Sequence, residues 1–238
     1  MYRIIVGLLI IQSLTSCHQN KTSTNQETYT IEKNQYAENF IIKHNDNFTL
    51  IEIHDPWVDA KNINYIYAIP KKAGAKLPEN AIHLNPNPEK VAAISTTHLA
   101  FIEALEKTTS VQAVSDIQFI YNQKIKENYA QGFVSEVGFD TNLNFEKLLQ
   151  LKTELIFMYG ISNEIEPLRK KLIKAGIIPV MIGEYTERHP LGKAEWIKVF
   201  GAIYNQNELA ENIFDSIVNE YSKLKELVAN TKHKPTVF

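Results

Sequence analysis

The chain holds a single cysteine, Cys17, so no disulfide can form within it. Basic residues are not in excess: 25 lysines and arginines face 27 carboxylates, for a formal net charge of -2. That balance carries no electrostatic footprint for nucleic acid. Glycine is scarce, with 9 in 238 residues, and none belongs to a phosphate-cradling loop. The seven histidines are scattered without the spacing of a zinc site. No nucleophile–base signature stands out, which disfavours an enzyme without excluding one, because catalytic triads are discontinuous in sequence. Long apolar runs are absent too. Residues 4–14 form an apolar stretch of signal-peptide length, too short for a membrane span.

What is present begins at that stretch. It follows a short charged start, Met1-Tyr2-Arg3, and ends in Leu14-Thr15-Ser16-Cys17. Small residues just before a cysteine resemble a lipoprotein lipobox, with cleavage before Cys17 and a diacylglycerol thioether on its sulfur. The plainer alternative is an ordinary signal peptide and a chance cysteine. Residues 1–16 are thus expected to be a signal peptide and 17–28 a polar tether from a lipid anchor, on the exported side of a membrane.

Residues 29–88 read as a β-rich attachment followed by a loop. FIIKH, then Asn45-Asp46-Asn47, then FTLIEIH is a hairpin pattern with a polar turn, and residues 63–69 add a third strand. Tyr36, Phe40, Trp57 and Tyr65 supply either its packing face or part of a ligand site. Residues 71–88, broken by glycine and prolines, read as loop. From residue 89 to 190 the rhythm becomes β–α: short apolar strands at 91–94, 111–114, 154–159 and 177–182 alternate with helical patterns. Alternation of that kind predicts an α/β lobe with three αβα layers and a parallel sheet. Ligands gather at the carboxyl ends of such strands. Residues 191–232 read as helical, one helix over 194–204 and a long amphipathic one over 207–229.

The stretch at 141–160, TNLNFEKLLQLKTELIFMYG, organises this reading. Asn144 is a good N-cap, Leu148, Leu149 and Leu151 give the helix an apolar face, and the buried strand ends at Gly160. The spacing of Asn144, Glu146, Leu148 or Leu149, Leu151 and Lys152, followed by Thr153-Glu154-Leu155-Ile156, resembles the helix-then-strand signature of substrate-binding proteins of the cobalamin, siderophore and haem uptake type. In those proteins the pattern is Asn-x-Glu-x-Leu-x-x-Leu-Lys-Pro-Asp-Leu-Val, and Thr-Glu stands here for Pro-Asp. The likeness runs from about Val91 to the last residue, and residues 184–196 resemble a lipoprotein branch of that family.

The resemblance implies a monomeric binder without a cofactor, tied to a membrane and partnered by an ABC permease. It would capture a metal chelate (cobalamin, ferric siderophore or haem). Glu146 then corresponds to a glutamate that docks on permease arginines; its local alternative is to favour the helix dipole. Residues 207–229 correspond to a rigid helix joining two lobes. Residues 233–238 correspond to the start of a second lobe, so the chain is expected to be a truncated member. The expected cleft residues are Thr96, Thr97, His98, Phe119, Tyr121, Tyr159 and Tyr185, near strand ends, and Glu136, which precedes the motif helix. The threonines have a simpler reading as caps and the aromatics as packing; Arg188 and Lys193 are basic groups for a carboxylate-bearing ligand or, more simply, solvated charges. A dedicated metal site is not expected. The competing function is a single-lobe lipoprotein that docks without cargo; an exported α/β enzyme is a third.

Overall fold

The computed structural model describes residues 28–139, 142–229 and 231. Its first half is a five-stranded sheet: β1 (Thr30–Glu32), β2 (Phe40–His44), β3 (Phe48–His54), β4 (Asn64–Pro70) and β5 (Ile82–His83). The strands follow in order, antiparallel up to β4, and β5 joins β4 parallel. The expected hairpin is thus present. Its turn is held by the Asn45 side chain, which accepts from the amides of Asn47 and Phe48 at 2.8 Å each. Residues 71–88 are not wholly loop, since β5 forms within them. Its two residues lie beside Tyr67 and Ala68 in a pairing that turn residues on either side do not advertise.

The second half opens with β6 (Val91–Ala93), α1 (Thr96–Ala104) and β7 (Val111–Val114), followed by α2 (Gln123–Ala130) and β8 (Ser135–Glu136). Next come α3 (Phe145–Gln150), β9 (Leu155–Met158), α4 (Ile165–Lys174) and β10 (Ile178–Met181). The five strands are parallel in the order β10-β9-β6-β7-β8. From β6 the chain steps one way through β7 and β8, then returns to β9 and steps the other way to β10. Right-handed crossovers put α1 and α4 on opposite faces of such a sheet. The expected α/β lobe with three αβα layers is what forms. Both signals of α3 hold: the Asn144 side chain accepts from the Lys147 amide at 2.9 Å, and Leu148 is buried. Leu149 is the exception, at 44% exposed, because it falls on the solvent side of the turn that buries Leu148.

Three helices follow: α5 (Pro190–Glu195), α6 (Ile197–Ile203) and α7 (Asn207–Ala229). The expected helix over 194–204 is in fact split at Trp196. α6 covers the central strands, its Phe200 stacked on Phe157 at 4.4 Å and close to Phe101 of α1 at 4.9 Å. α7 crosses α6 where Gly201 lies against Ala210; a Cβ there would come within 2.5 Å of the Ala210 Cβ. Only the first part of α7 is buried, through Ala210 and Phe214, whereas Ile217, Leu224 and Val228 farther along are exposed.

A single apolar core joins the two sheets, running from Phe40, Ile51 and Trp57 through Phe157 and Met181 to Trp196. Tyr67 of β4 makes the polar join. Its hydroxyl donates to the Pro179 carbonyl and accepts from the Met181 amide, both at 3.0 Å. It thereby caps the outer edge of β10, which would otherwise present unpaired backbone groups. Pro179, lacking an N–H, suits an edge position. Tyr67→Phe keeps the ring and removes both bonds, so unfolding free energy should fall by about 2 kcal/mol. A urea midpoint equal to the parent's would show that the hydroxyl does not hold this edge.

Candidate functional site

The strand order determines where the sheet opens. β6 and β9 are neighbours, yet the chain leaves their carboxyl ends in opposite directions. A crevice forms at such a switch point because no connection covers it. Here it is bounded by the turn at Ser95 on one side and by Tyr159 and Gly160 on the other. A cavity of about 170 Å³ lies there, lined by Ile94, Phe139, Tyr159, Gly160, Ile161 and Glu164 among others. Gly160 is required by crowding: a Cβ would meet Ile165, Trp57 and Met181 at 3.1–3.3 Å. The Tyr185 hydroxyl donates to the Gly160 carbonyl at 2.5 Å, fixing the strand end. A wider polar recess follows along the same edge, after β7 and β8, lined by Ser115, Asp116, Glu136, Gly138, Asn142 and Asn144 among others. Gly138 takes φ +69, and a Cβ on it would sit 2.6 Å from the Asn142 carbonyl oxygen.

The expected residues divide into those at this edge and one that is not. Thr96 is exposed at the start of α1. Capping there falls to Ser95, whose hydroxyl accepts from the Thr97 amide at 3.3 Å, so neither threonine is the cap. The Thr97 hydroxyl donates to Glu184 at 2.6 Å. Tyr159 lines the cavity, and Tyr185 stands beside it as described. Glu136 lines the recess, accepting from the Ile117 amide at 2.8 Å and the Tyr129 hydroxyl at 3.3 Å. Phe119 and Tyr121 are 56% and 91% exposed, which removes the packing alternative for both. With Phe139 and Ile161, at 47% and 70%, they leave large apolar side chains in solvent after three successive strands.

His98 is the correction. It is fully buried, its Nδ1 3.2 Å from the Phe157 carbonyl and its ring against Phe157, Tyr159 and Phe200. Burial drives its pKa down to about 3, a drop that the Phe157 carbonyl only partly opposes. The residue is a neutral core group beneath the crevice and not part of its wall. Glu146 is exposed in the first turn of α3. Lys193 is engaged with the Tyr185 carbonyl at 3.1 Å, whereas Arg188 is exposed. Cys17 and residues 233–238 lie outside the described residues.

Several buried charges were not expected. Glu184, in the turn after β10, is 7% exposed, and its second carboxylate oxygen is without a hydrogen bond. Burial raises its pKa, against the lowering effect of the Thr97 bond. Glu195 is fully buried and accepts from the amides of Gln35, Tyr36 and Ala37, each at 2.8 Å. Glu187 does the same for the amides of Glu38 and Asn39 at 3.0–3.1 Å and for the Trp196 indole N–H at 3.1 Å. Together the two carboxylates hold the five-residue link into β2 against the second half. Among the described residues, no group of three or more His, Cys, Asp or Glu side chains is placed to hold a metal ion.

Comparison with known proteins accords with this geometry. Residues 91–238 match the family described as Periplasmic binding protein. The uncharacterized lipoprotein MJ0878 of Methanocaldococcus jannaschii is 26% identical, over 98% of this chain and 61% of its own length. The uncharacterized protein MJ0642 of the same organism is 33% identical, over 60% of this chain and 44% of its own. The petrobactin-binding protein YclQ of Bacillus subtilis superposes with a TM-score of 0.50 at 14% identity, covering 63% of this chain and 50% of its own. The chain thus spans less than two thirds of the length of each. The match extends over more than half of the chain and takes in the whole parallel sheet, and on that ground the chain belongs to the periplasmic binding protein family.

Proposed function

We propose that this chain is the lipid-anchored solute-binding component of an ABC importer, which captures a metal chelate and hands it to the permease. The observation that carries this reading is the switch-point crevice, with Tyr159 in its wall and large exposed side chains after three successive strands. An apolar platform with a few fixed polar groups suits a broad ligand such as a corrinoid, haem or ferric siderophore. Cys17 is the proposed attachment point, placing the domain on the exported side of the membrane. α7 is proposed as the helix joining this lobe to a second one, whose contact face would be the exposed Ile217, Leu224 and Val228.

The cavity of about 170 Å³ is smaller than the roughly 300–1,000 Å³ of pockets that enclose drug-sized ligands. This lobe by itself therefore offers one wall, and binding by the chain alone should be weak. The test is titration of the full chain with cyanocobalamin, haemin and ferrioxamine B. Saturable binding of at least one supports the reading, and no binding of any by the chain alone or when joined to a second lobe would refute it. That second outcome favours the alternative, a lobe that docks on a permease without cargo, for which the small cavity is the supporting observation.

Glu146 is proposed as the permease contact. A solvated carboxylate meeting arginines gives a steered, reversible encounter. Glu146→Arg should weaken capture by the permease about tenfold, an effect of the size expected for one charge-assisted pair. Equal capture of parent and variant would remove Glu146 from the interface.

A further inference from the structure

The first sheet lies wholly outside the residues matched by the family, yet one of its loops reaches the site. Residues 55–63 connect β3 to β4, and the loop is formed by 55–62. Two close approaches bring this loop to the carboxyl ends of adjacent strands. A Cβ on Gly183, just past β10, would lie 3.2 Å from the Pro56 Cα and carbonyl oxygen. One on Gly160, just past β9, would lie 3.2 Å from the Trp57 ring. Both glycines therefore leave room for this loop. The Tyr185 hydroxyl holds the Gly160 carbonyl, and the Val58 backbone acts to lower its pKa against the raising effect of burial.

The loop is built to keep this shape. Asp55, Asp59 and Asn62 all adopt positive φ, at 42, 65 and 60 degrees, in the region that Asp and Asn tolerate best among non-glycine residues. The Asp55 amide donates to the Ile63 carbonyl at 2.9 Å, and the Ala60 amide to the Trp57 carbonyl at 3.0 Å. Trp57 is buried at 4% exposure and anchors the loop, while the next residue, Val58, is 63% exposed. The buried anchor lies against Gly160, which lines the cavity, and the apolar side chain that follows it is in solvent.

We propose that residues 55–62 form a wall of the binding site and that Val58 is a specificity-determining residue within it. The inference rests on the reading of the crevice as a ligand site. It adds that selectivity is set partly from the N-terminal sheet, so that relatives with other sequences in this loop take ligands of other sizes. The N-terminal sheet is then more than a support: the Glu187 and Glu195 bonds that fix residues 35–39 also fix the sheet that carries this loop.

The experiment compares the full chain with Val58→Trp and Val58→Ala, using cyanocobalamin, haemin and ferrioxamine B as probes. Because Val58 is exposed, both variants should unfold at the parent's urea midpoint. Val58→Trp should change the dissociation constant at least tenfold for any probe the parent binds, with the largest probe affected most, and Val58→Ala should change it two- to threefold. Parent-like constants for Val58→Trp across every bound probe would overturn the proposal while leaving the crevice as a binding site. Absence of binding of all three by the parent, both alone and when joined to a second lobe, would overturn both together.

Discussion

Glu195→Ala should lower the unfolding free energy by about 4 kcal/mol, as expected when one partner of a buried charge network is removed. The carboxylate is fully buried and takes hydrogen bonds from three consecutive amides, Gln35 to Ala37. It also lies 3.3 Å from the Lys198 ammonium, which is 3% exposed and bonded on its far side to Glu211 at 2.9 Å. Burial pulls the Lys198 pKa down, and the two carboxylates more than offset that, leaving it raised. Alanine would strand three amide hydrogens and leave Lys198 with Glu211 alone, and an unmet buried donor is more damaging than a bond that was never there. Glu195→Gln keeps the shape and one acceptor oxygen, so its loss should be smaller, about 2 kcal/mol. The check is urea unfolding of both variants, together with limited proteolysis across residues 28–39. Faster cleavage there in Glu195→Ala, with the rest of the chain protected, would show the first sheet coming away from its clamp. A parent-like midpoint for Glu195→Ala would show that the amides find water and that the clamp is not a source of stability.

The same residue shows where sequence reading reaches its limit. Elements built from apolar periodicity were legible: the β–α alternation after Val91, the Asn144 cap, the turn at Asn45 and the bounds of α7 all follow from local pattern. The alternation implied a parallel sheet but not its order, because order depends on which distant strands pair. The switch point between β6 and β9 therefore emerges only in three dimensions. Glu187 and Glu195 sit in a stretch rich in charge, EYTERHPLGKAEW, where nothing local marks either as buried. Their partners are backbone amides about 150 positions earlier, and an amide leaves no mark in a sequence. The exposure of Phe119 and Tyr121 is hidden for a related reason. An aromatic at a strand end reads as packing until the structure shows that nothing covers it. His98, by contrast, could have been placed correctly. The spacing of 98, 102 and 105 puts it on the face of α1 that buries Ile102 and Leu105. Its position after a strand end suggests a loop at the crevice, whereas the helical period is the stronger signal.

His98 leads to the other large effect, a dependence of stability on pH. In the folded chain the ring is neutral, with a pKa of about 3 against an ordinary value of 6.5. The unfolded chain therefore binds a proton below pH 6.5 that the folded chain refuses, so stability falls as pH drops through the interval between the two values. Between pH 7 and pH 4 this single group should remove about 3 kcal/mol. Carboxylates titrate over part of the same interval, and the contribution of His98 is isolated by comparison with His98→Phe. That replacement suits the aromatic surroundings of Phe157, Tyr159 and Phe200, and the Phe157 carbonyl keeps its bond from the Ile94 amide at 3.2 Å. Phenylalanine is larger than histidine, so His98→Leu serves as a second variant in case the ring crowds its neighbours. Urea unfolding from pH 7 to pH 4 should show the parent losing stability more steeply than either variant, the curves diverging below about pH 6.5 by up to about 3 kcal/mol. Parallel curves would mean that the imidazole takes up its proton without leaving the fold. The core beneath the crevice would then have to admit water to Nε2, which is buried without a hydrogen-bond partner. Such hydration would connect the floor of the site to solvent, and Tyr159, packed edge-on against His98 at 6.4 Å, is the side chain through which it would be felt above.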